Sequence, residues 1–179
     1  MIAKIFIVLA VLVVLFLIVA ALQSPDYAVS RTTTIAAPAS VPFAFVNDLH
    51  RWQEISPYVK MDPAAKYTFD GPAAGPGASL AWAGNAKVGE GKMTIVETQP
   101  NQLARMRLDF KKPFATVGMA DFTFEPAGND TRVTWSMKGK KVFITKAMGL
   151  ILSMDKMVGP QFEEGLAKMK SLSEANAAK

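Results

Sequence analysis

The residue types that carry most enzymatic chemistry are scarce in this chain. There is no cysteine. That excludes a disulfide framework, a thiolate metal centre, an iron–sulfur cluster and a cysteine nucleophile. His50 is the only histidine, so one chain cannot build a multi-histidine metal site. No metal and no cofactor is expected. As a general base, His50 would need a nucleophile or an orienting acid beside it, and Asp48 is too near in sequence to count as an independent partner. Glu97 is the other catalytic candidate. Strict alternation from Lys92 to Thr98 puts Met93, Ile95 and Glu97 on one strand face. If that face is internal, Glu97 is a carboxylate among apolar neighbours, with a raised pKa and the capacity to act as an acid or base or to bind a ligand hydroxyl. If the face is external, it is a salt-bridge partner. Arg105 and Arg107 share a polar face with Asp109 and read as solvated. Gly89-Glu90-Gly91-Lys92 lacks the spacing and the Ser/Thr of a phosphate loop.

The elements that must position these groups are legible from periodicity. Val29 to Ile35 is a β-branched strand stopped by Pro38. Phe43, Val46 and Leu49 then mark one face of a short helix, with a further turn from Arg51 to Ile55. Strand patterns follow at Ala65–Asp70, Ser79–Asn85, Lys92–Thr98, Leu103–Phe110, Val117–Glu125 and Arg132–Lys138, punctuated by Pro, Gly and Asn turns. The alternation is clean. Ala104, Met106, Leu108 and Phe110 oppose Arg105, Arg107 and Asp109, and Val133, Trp135 and Met137 oppose Arg132, Thr134 and Ser136. Val142 to Met154 is helix-compatible and rich in apolar residues, with Lys138, Lys140, Lys141 and Lys146 beside it. It reads as a lid, a segment dipping into a bilayer, or a buried helix with a basic edge. Val158, Phe162, Leu166, Met169 and Leu172 form the apolar stripe of a long final helix, with Gly165 beside it. An α+β domain results: about seven antiparallel strands around one long C-terminal helix, the available cover for a one-faced sheet.

The first 22 residues stand apart. Ile5 to Leu22 is an unbroken run of 18 apolar residues, long enough to cross a bilayer core. A retained transmembrane anchor fits that length better than a signal peptide, although Val19-Ala20-Ala21 offers a cleavage site after Ala21. The expected layout is an anchor over 1–22, a linker over 23–30, a domain over 31–174 and a frayed tail over 175–179. Lys4 near the N-terminus, against the offsetting Asp26 and Arg31, favours a cytoplasmic N-terminus with the domain on the periplasmic or extracytoplasmic side; cleavage near Ala21 would instead give a secreted domain. The net charge of +5 is too small and too scattered to argue for nucleic acid. It suits loose attraction to acidic headgroups.

Four stretches resemble the START/Bet v 1-like superfamily, also called SRPBCC or polyketide cyclase/dehydrase-like, in its membrane-anchored bacterial form. They are Thr34-Ile35-Ala36-Ala37-Pro38-Ala39-Ser40-Val41; Phe45-Val46-Asn47-Asp48-Leu49 with Trp52 and Ser56-Pro57; Asp121 to Trp135; and Gly165-Leu166-Ala167-Lys168-Met169-Lys170. The resemblance spans about Tyr27 to Glu174 and implies a helix-grip fold enclosing a hydrophobic cavity for a lipid, isoprenoid, polyketide or similar molecule. It implies no shared catalytic set. Trp82, Met106, Phe122, Trp135, Phe162 and Met169 are the expected cavity lining. The expected function is membrane-anchored, non-catalytic binding of an apolar small molecule or lipid, as carrier or sensor. The alternatives are a cyclase/dehydratase-like enzyme using Glu97 or His50 and a non-liganding interaction module whose interior is filled by its own side chains.

Overall fold

The computed structural model describes residues 1–150 and 153–177. Ile151 and Leu152, within the apolar stretch before the last helix, lie outside the described residues, as do Ala178 and Lys179 of the expected tail. The order of elements is α1 (Ile2–Leu22), β1 (Asp26–Ile35), α2 (Ser40–Asn47), α3 (Leu49–Ile55), α4 (Tyr58–Met61), β2 (Lys66–Asp70), β3 (Ser79–Ala83), β4 (Glu90–Gln99), β5 (Leu103–Lys112), β6 (Thr116–Ala127), β7 (Asp130–Lys140), α5 (Phe143–Gly149) and α6 (Met154–Ala177). β1 begins at Asp26, three residues before the strand read from Val29, and Gln23–Pro25 connects it to α1.

Seven strands form one antiparallel sheet in the order β1-β7-β6-β5-β4-β3-β2. β2 to β7 follow one another as hairpins. β1 joins the last of them, in register from Asp26 opposite Lys140 to Ile35 opposite Thr131. The registers therefore define two ends. Asp26, Lys140, Thr116, Lys112 and Glu90 sit at one end, and the β6–β7 turn at Gly128-Asn129 sits at the other. The inner face buries Leu80, Met93, Ile95, Ala104, Met106, Ala120, Phe122, Phe124, Val133, Trp135 and Met137, as alternation demands.

The long helix α6 covers that face. Phe162, Leu166 and Met169 are almost wholly buried. Gly165 lets the helix seat: a Cβ there would lie 2.7 Å from the Trp135 ring and 3.4 Å from the Ile55 carbonyl. Polar clamps hold the exposed side of α6. The Arg31 guanidinium donates to Asp155 (2.7 and 3.0 Å) and Glu163 (2.6 Å), Lys60 pairs with Glu164 (2.9 Å), and Glu174 accepts the Ala36 N–H (3.0 Å) while pairing with Lys170 (3.1 Å). Exposed pairs contribute little singly, but together these tie the helix to β1, to the residue that follows it and to α4.

Two outcomes follow. Gly165→Val overpacks the seat against Trp135 and should destabilise the fold by about 2–3 kcal/mol, outweighing the small gain in helix propensity; urea unfolding of the full chain in detergent micelles measures it. The second concerns acid. The Ala36 N–H, with help from Lys170, holds the Glu174 carboxyl below its ordinary 4.5. A depressed carboxylate stabilises above its unfolded pKa, and that contribution is lost as pH falls through the folded value. The acid side of the stability profile, below pH 4.5, should therefore flatten in Glu174→Gln.

Candidate functional site

Helix and sheet do not meet everywhere. Between the inner face of the sheet, α3, α4 and the N-terminal half of α6 lies a cavity of about 360 Å³. Its floor is aromatic. The Trp135 ring stacks on Phe162 (centroids 4.1 Å apart), lies 4.9 Å from Phe122 and meets Trp52 edge-on at 5.3 Å. Such offset and edge-on contacts make a rigid apolar surface. Met93, Met106, Leu80, Leu108 and Ala120 continue the wall. Gly91 gives room to Trp82, whose ring lies where a Cβ at that position would stand, and whose indole N–H donates to the Val88 carbonyl (3.2 Å). The mouth lies at the sheet end where β1 begins. It is bordered by Lys112-Pro113-Phe114, Lys140-Lys141, Thr145 and Met148 of α5, and Met154, Met157 and Val158 of α6.

Of the six residues named from sequence, Trp82, Met106, Phe122, Trp135 and Phe162 border this space. Met169 does not. It is fully buried in the C-terminal half of α6, where helix and sheet are packed without a gap. The two catalytic candidates are also elsewhere. In β4 the register slips between Ile95 and Glu97: Ile95 faces Met106 but Glu97 faces Arg105, leaving Val96 as the extra residue of a bulge. Glu97 thus leaves the Met93–Ile95 face and lies outside, paired with Arg105 (2.6 Å), which also binds Asp121 (2.8 Å). His50 is on the surface. Its backbone N–H is accepted by the Asp48 carboxylate that caps α3 (2.8 Å), and its ring stacks on Phe69 (3.9 Å). Among the described lining residues there is no carboxylate and no imidazole. No group of three or more potential metal ligands occurs among the described residues.

The polar groups the cavity does carry escaped the sequence reading. Tyr27, Tyr58 and Tyr67 all border it, and they are the chain's only tyrosines. Burial raises the pKa of each. Tyr58 is pushed up to about 12, with Tyr27 adding to the effect, and Tyr67 is raised further by Asp62. The phenols of these walls therefore stay neutral at physiological pH. Gln53 Nε2, Tyr67 Oη and Trp135 Nε1 are buried on these walls without a hydrogen-bond partner. The periodicity of Lys66–Asp70 marked Tyr67 as facing one side. Nothing local marked Gln53 or Tyr58, whose helical turns are too short to show a face. Spectrophotometric titration at the tyrosinate band should find no tyrosine ionising at its ordinary 10.0, and Tyr58→Phe should remove the last component, near 12.

The family described as polyketide cyclase/dehydrase and lipid transport matches residues 27–174. No curated protein matches the chain. Among solved structures, the di-domain aromatase/cyclase StfQ of the steffimycin biosynthetic pathway is similar at 11% identity and a TM-score of 0.66, over 86% of this chain and 52% of that one. A Thalictrum flavum norcoclaurine synthase, solved as a point mutant with a transition-state analogue, is similar at 12% identity and TM-score 0.63, over 87% and 98%. The Panax ginseng major latex-like protein 151 is similar at 15% identity and TM-score 0.56, over 87% and 99%. At such identities the structures share the fold and nothing finer. The seven-stranded sheet gripping a long C-terminal helix, the enclosed cavity and a match over nearly the whole domain lead to one conclusion: the chain belongs to the polyketide cyclase/dehydrase and lipid-transport family, with its Bet v 1-like helix-grip fold.

Proposed function

We propose that the protein is a membrane-anchored carrier or sensor that holds one hydrophobic small molecule or lipid in the helix-grip cavity. The observation that carries this reading is the cavity itself, about 360 Å³ of space with an aromatic floor and no carboxylate or imidazole among its described lining residues. Burial drives capture: each ~100 Å² of ligand surface removed from water contributes roughly 2.5 kcal/mol before the loss of ligand freedom is counted. The phenols and the unpaired donors of Gln53 and Trp135 supply orientation to a ligand oxygen after small side-chain rotations. Met93, Met106, Met148, Met154 and Met157 give the walls adaptable, polarisable contacts.

The catalytic alternative rested on Glu97 or His50, and both are outside the cavity. The interaction-module alternative requires an interior filled by its own side chains, which the open volume opposes. α1 is the anchor, with a cytoplasmic N-terminus and the domain on the extracytoplasmic side. Retention rather than cleavage near Ala21 is supported by the burial of Ala20 and by the contact of Lys146 Nζ with the Ala21 carbonyl (3.2 Å).

The test is native mass spectrometry of the full chain in lipid nanodiscs drawn from its host membrane, followed by organic extraction. A stoichiometric lipid or isoprenoid supports the reading. A protein that is empty and takes up no fluorescent hydrophobic probe overturns it. Because Trp52, Trp82 and Trp135 are the chain's only tryptophans and all border the cavity, their emission reports occupancy directly. Ala120→Phe fills the wall and should weaken probe uptake by about tenfold or more, equivalent to about 1.4 kcal/mol, while Glu97→Gln and His50→Ala stay within about twofold.

A further inference from the structure

α1 leaves the sheet at the end where the cavity opens. Three contacts fix this. The Lys141 N–H donates to the Pro25 carbonyl (2.6 Å), Lys146 Nζ donates to the Ala21 carbonyl (3.2 Å), and α5 packs on α1. A helix of α1's length spans a bilayer core and emerges close to Leu22. Whatever touches Ala21 and Pro25 is therefore at headgroup depth. What touches them is α5 and the β7 end, and these are apolar and basic. Phe143, Ile144 and Met148 of α5 and Met157 of α6 are 52%, 44%, 42% and 37% exposed. Met148 and Met157 also border the mouth. Lys140, Lys141 and Lys146 form no ion pair among the described residues, although Asp26 lies opposite Lys140 in the β1–β7 register. Exposed large apolar side chains with cations around them suit an anionic lipid interface.

We infer that α5 and the cavity mouth dock on the anionic bilayer that α1 enters, so that the cavity opens into the headgroup region and its ligand passes between bilayer and cavity without crossing water. This rests on the anchor reading above, and it goes further by naming the docking face, its occupant and the route of entry.

The absence of cysteine allows single-site labelling of the full chain. An environment-sensitive fluorophore is placed at Ile144→Cys, at Asn129→Cys in the opposite turn, and at Leu12→Cys in α1. Each variant is reconstituted in phosphatidylcholine nanodiscs with and without phosphatidylglycerol, containing lipids spin-labelled near the top of the acyl chain or deeper. Ile144 should be quenched at least threefold more than Asn129 by the shallow label. The difference should grow with phosphatidylglycerol and shrink in Lys140→Glu/Lys141→Glu. Ile144 quenched no more than Asn129 while Leu12 is quenched by the deep label overturns the docking and leaves the anchor standing. Leu12 unquenched overturns the anchor and the docking with it. Equal quenching of Ile144 with and without phosphatidylglycerol overturns the anionic surface as the occupant.

Discussion

One helix has to cover the apolar face of a seven-stranded sheet, and it covers that face unevenly. Its C-terminal half packs into the core, while its N-terminal half is held at the edge strand β1, where Arg31 packs on Gly159 and pairs with Asp155. The seat is the Gly165–Trp135 contact. From there toward the C-terminus α6 is packed core, through Leu166 and Met169 to the fully buried Ser173. Toward its N-terminus the same helix borders open space through Phe162, Val158, Met157 and Met154. The cavity is what the geometry of cover leaves over. The stacked ring pair Trp135–Phe162 is its floor because it is also the top of the core. Stability and ligand space therefore share side chains, and a change that tightens the seat also alters the floor.

How much of this was legible depends on the range of the signal. Alternation along Leu103–Phe110, Val117–Glu125 and Arg132–Lys138 marked the faces of three strands, because a period of two survives wherever one face is buried and the other wet. The α6 stripe was equally plain. Its division into a packed half and a cavity-lining half was not, because Phe162 and Met169 have the same periodicity and differ only in what lies opposite. Glu97 shows a second limit. A bulge adds one residue to a strand without changing composition, and every face assignment after Val96 is then inverted. Counting alone could not place it. The start of β1 shows a third limit: Asp26 and Ala28 carry no strand signal of their own, and the strand is carried back past Val29 by pairing with β7.

The electrostatic layout separates two kinds of surface. Outside the sheet, several acids and bases are matched: Arg105 with Glu97 and Asp121, Arg107 with Asp109, and Lys112 with Glu90, whose carboxyl is held below its usual range mainly by that lysine. On the cavity walls the ionisable groups are phenols kept neutral by burial, with lysines at the mouth. Matched charges keep the outer face wet and fix strand register. Neutral donors inside keep the ligand space free of the desolvation penalty that a carboxylate would bring.

The connector between α1 and β1 is three residues, Gln23–Pro25, which reach at most about 10 Å when fully extended. With α1 held in a bilayer, that tether removes free tumbling and confines the domain to a thin layer of solution above one leaflet. Encounters become a two-dimensional problem, governed by lateral diffusion and surface density rather than bulk concentration. On the carrier reading proposed above, any molecule that gives ligand to this domain or receives it must then come to the same membrane.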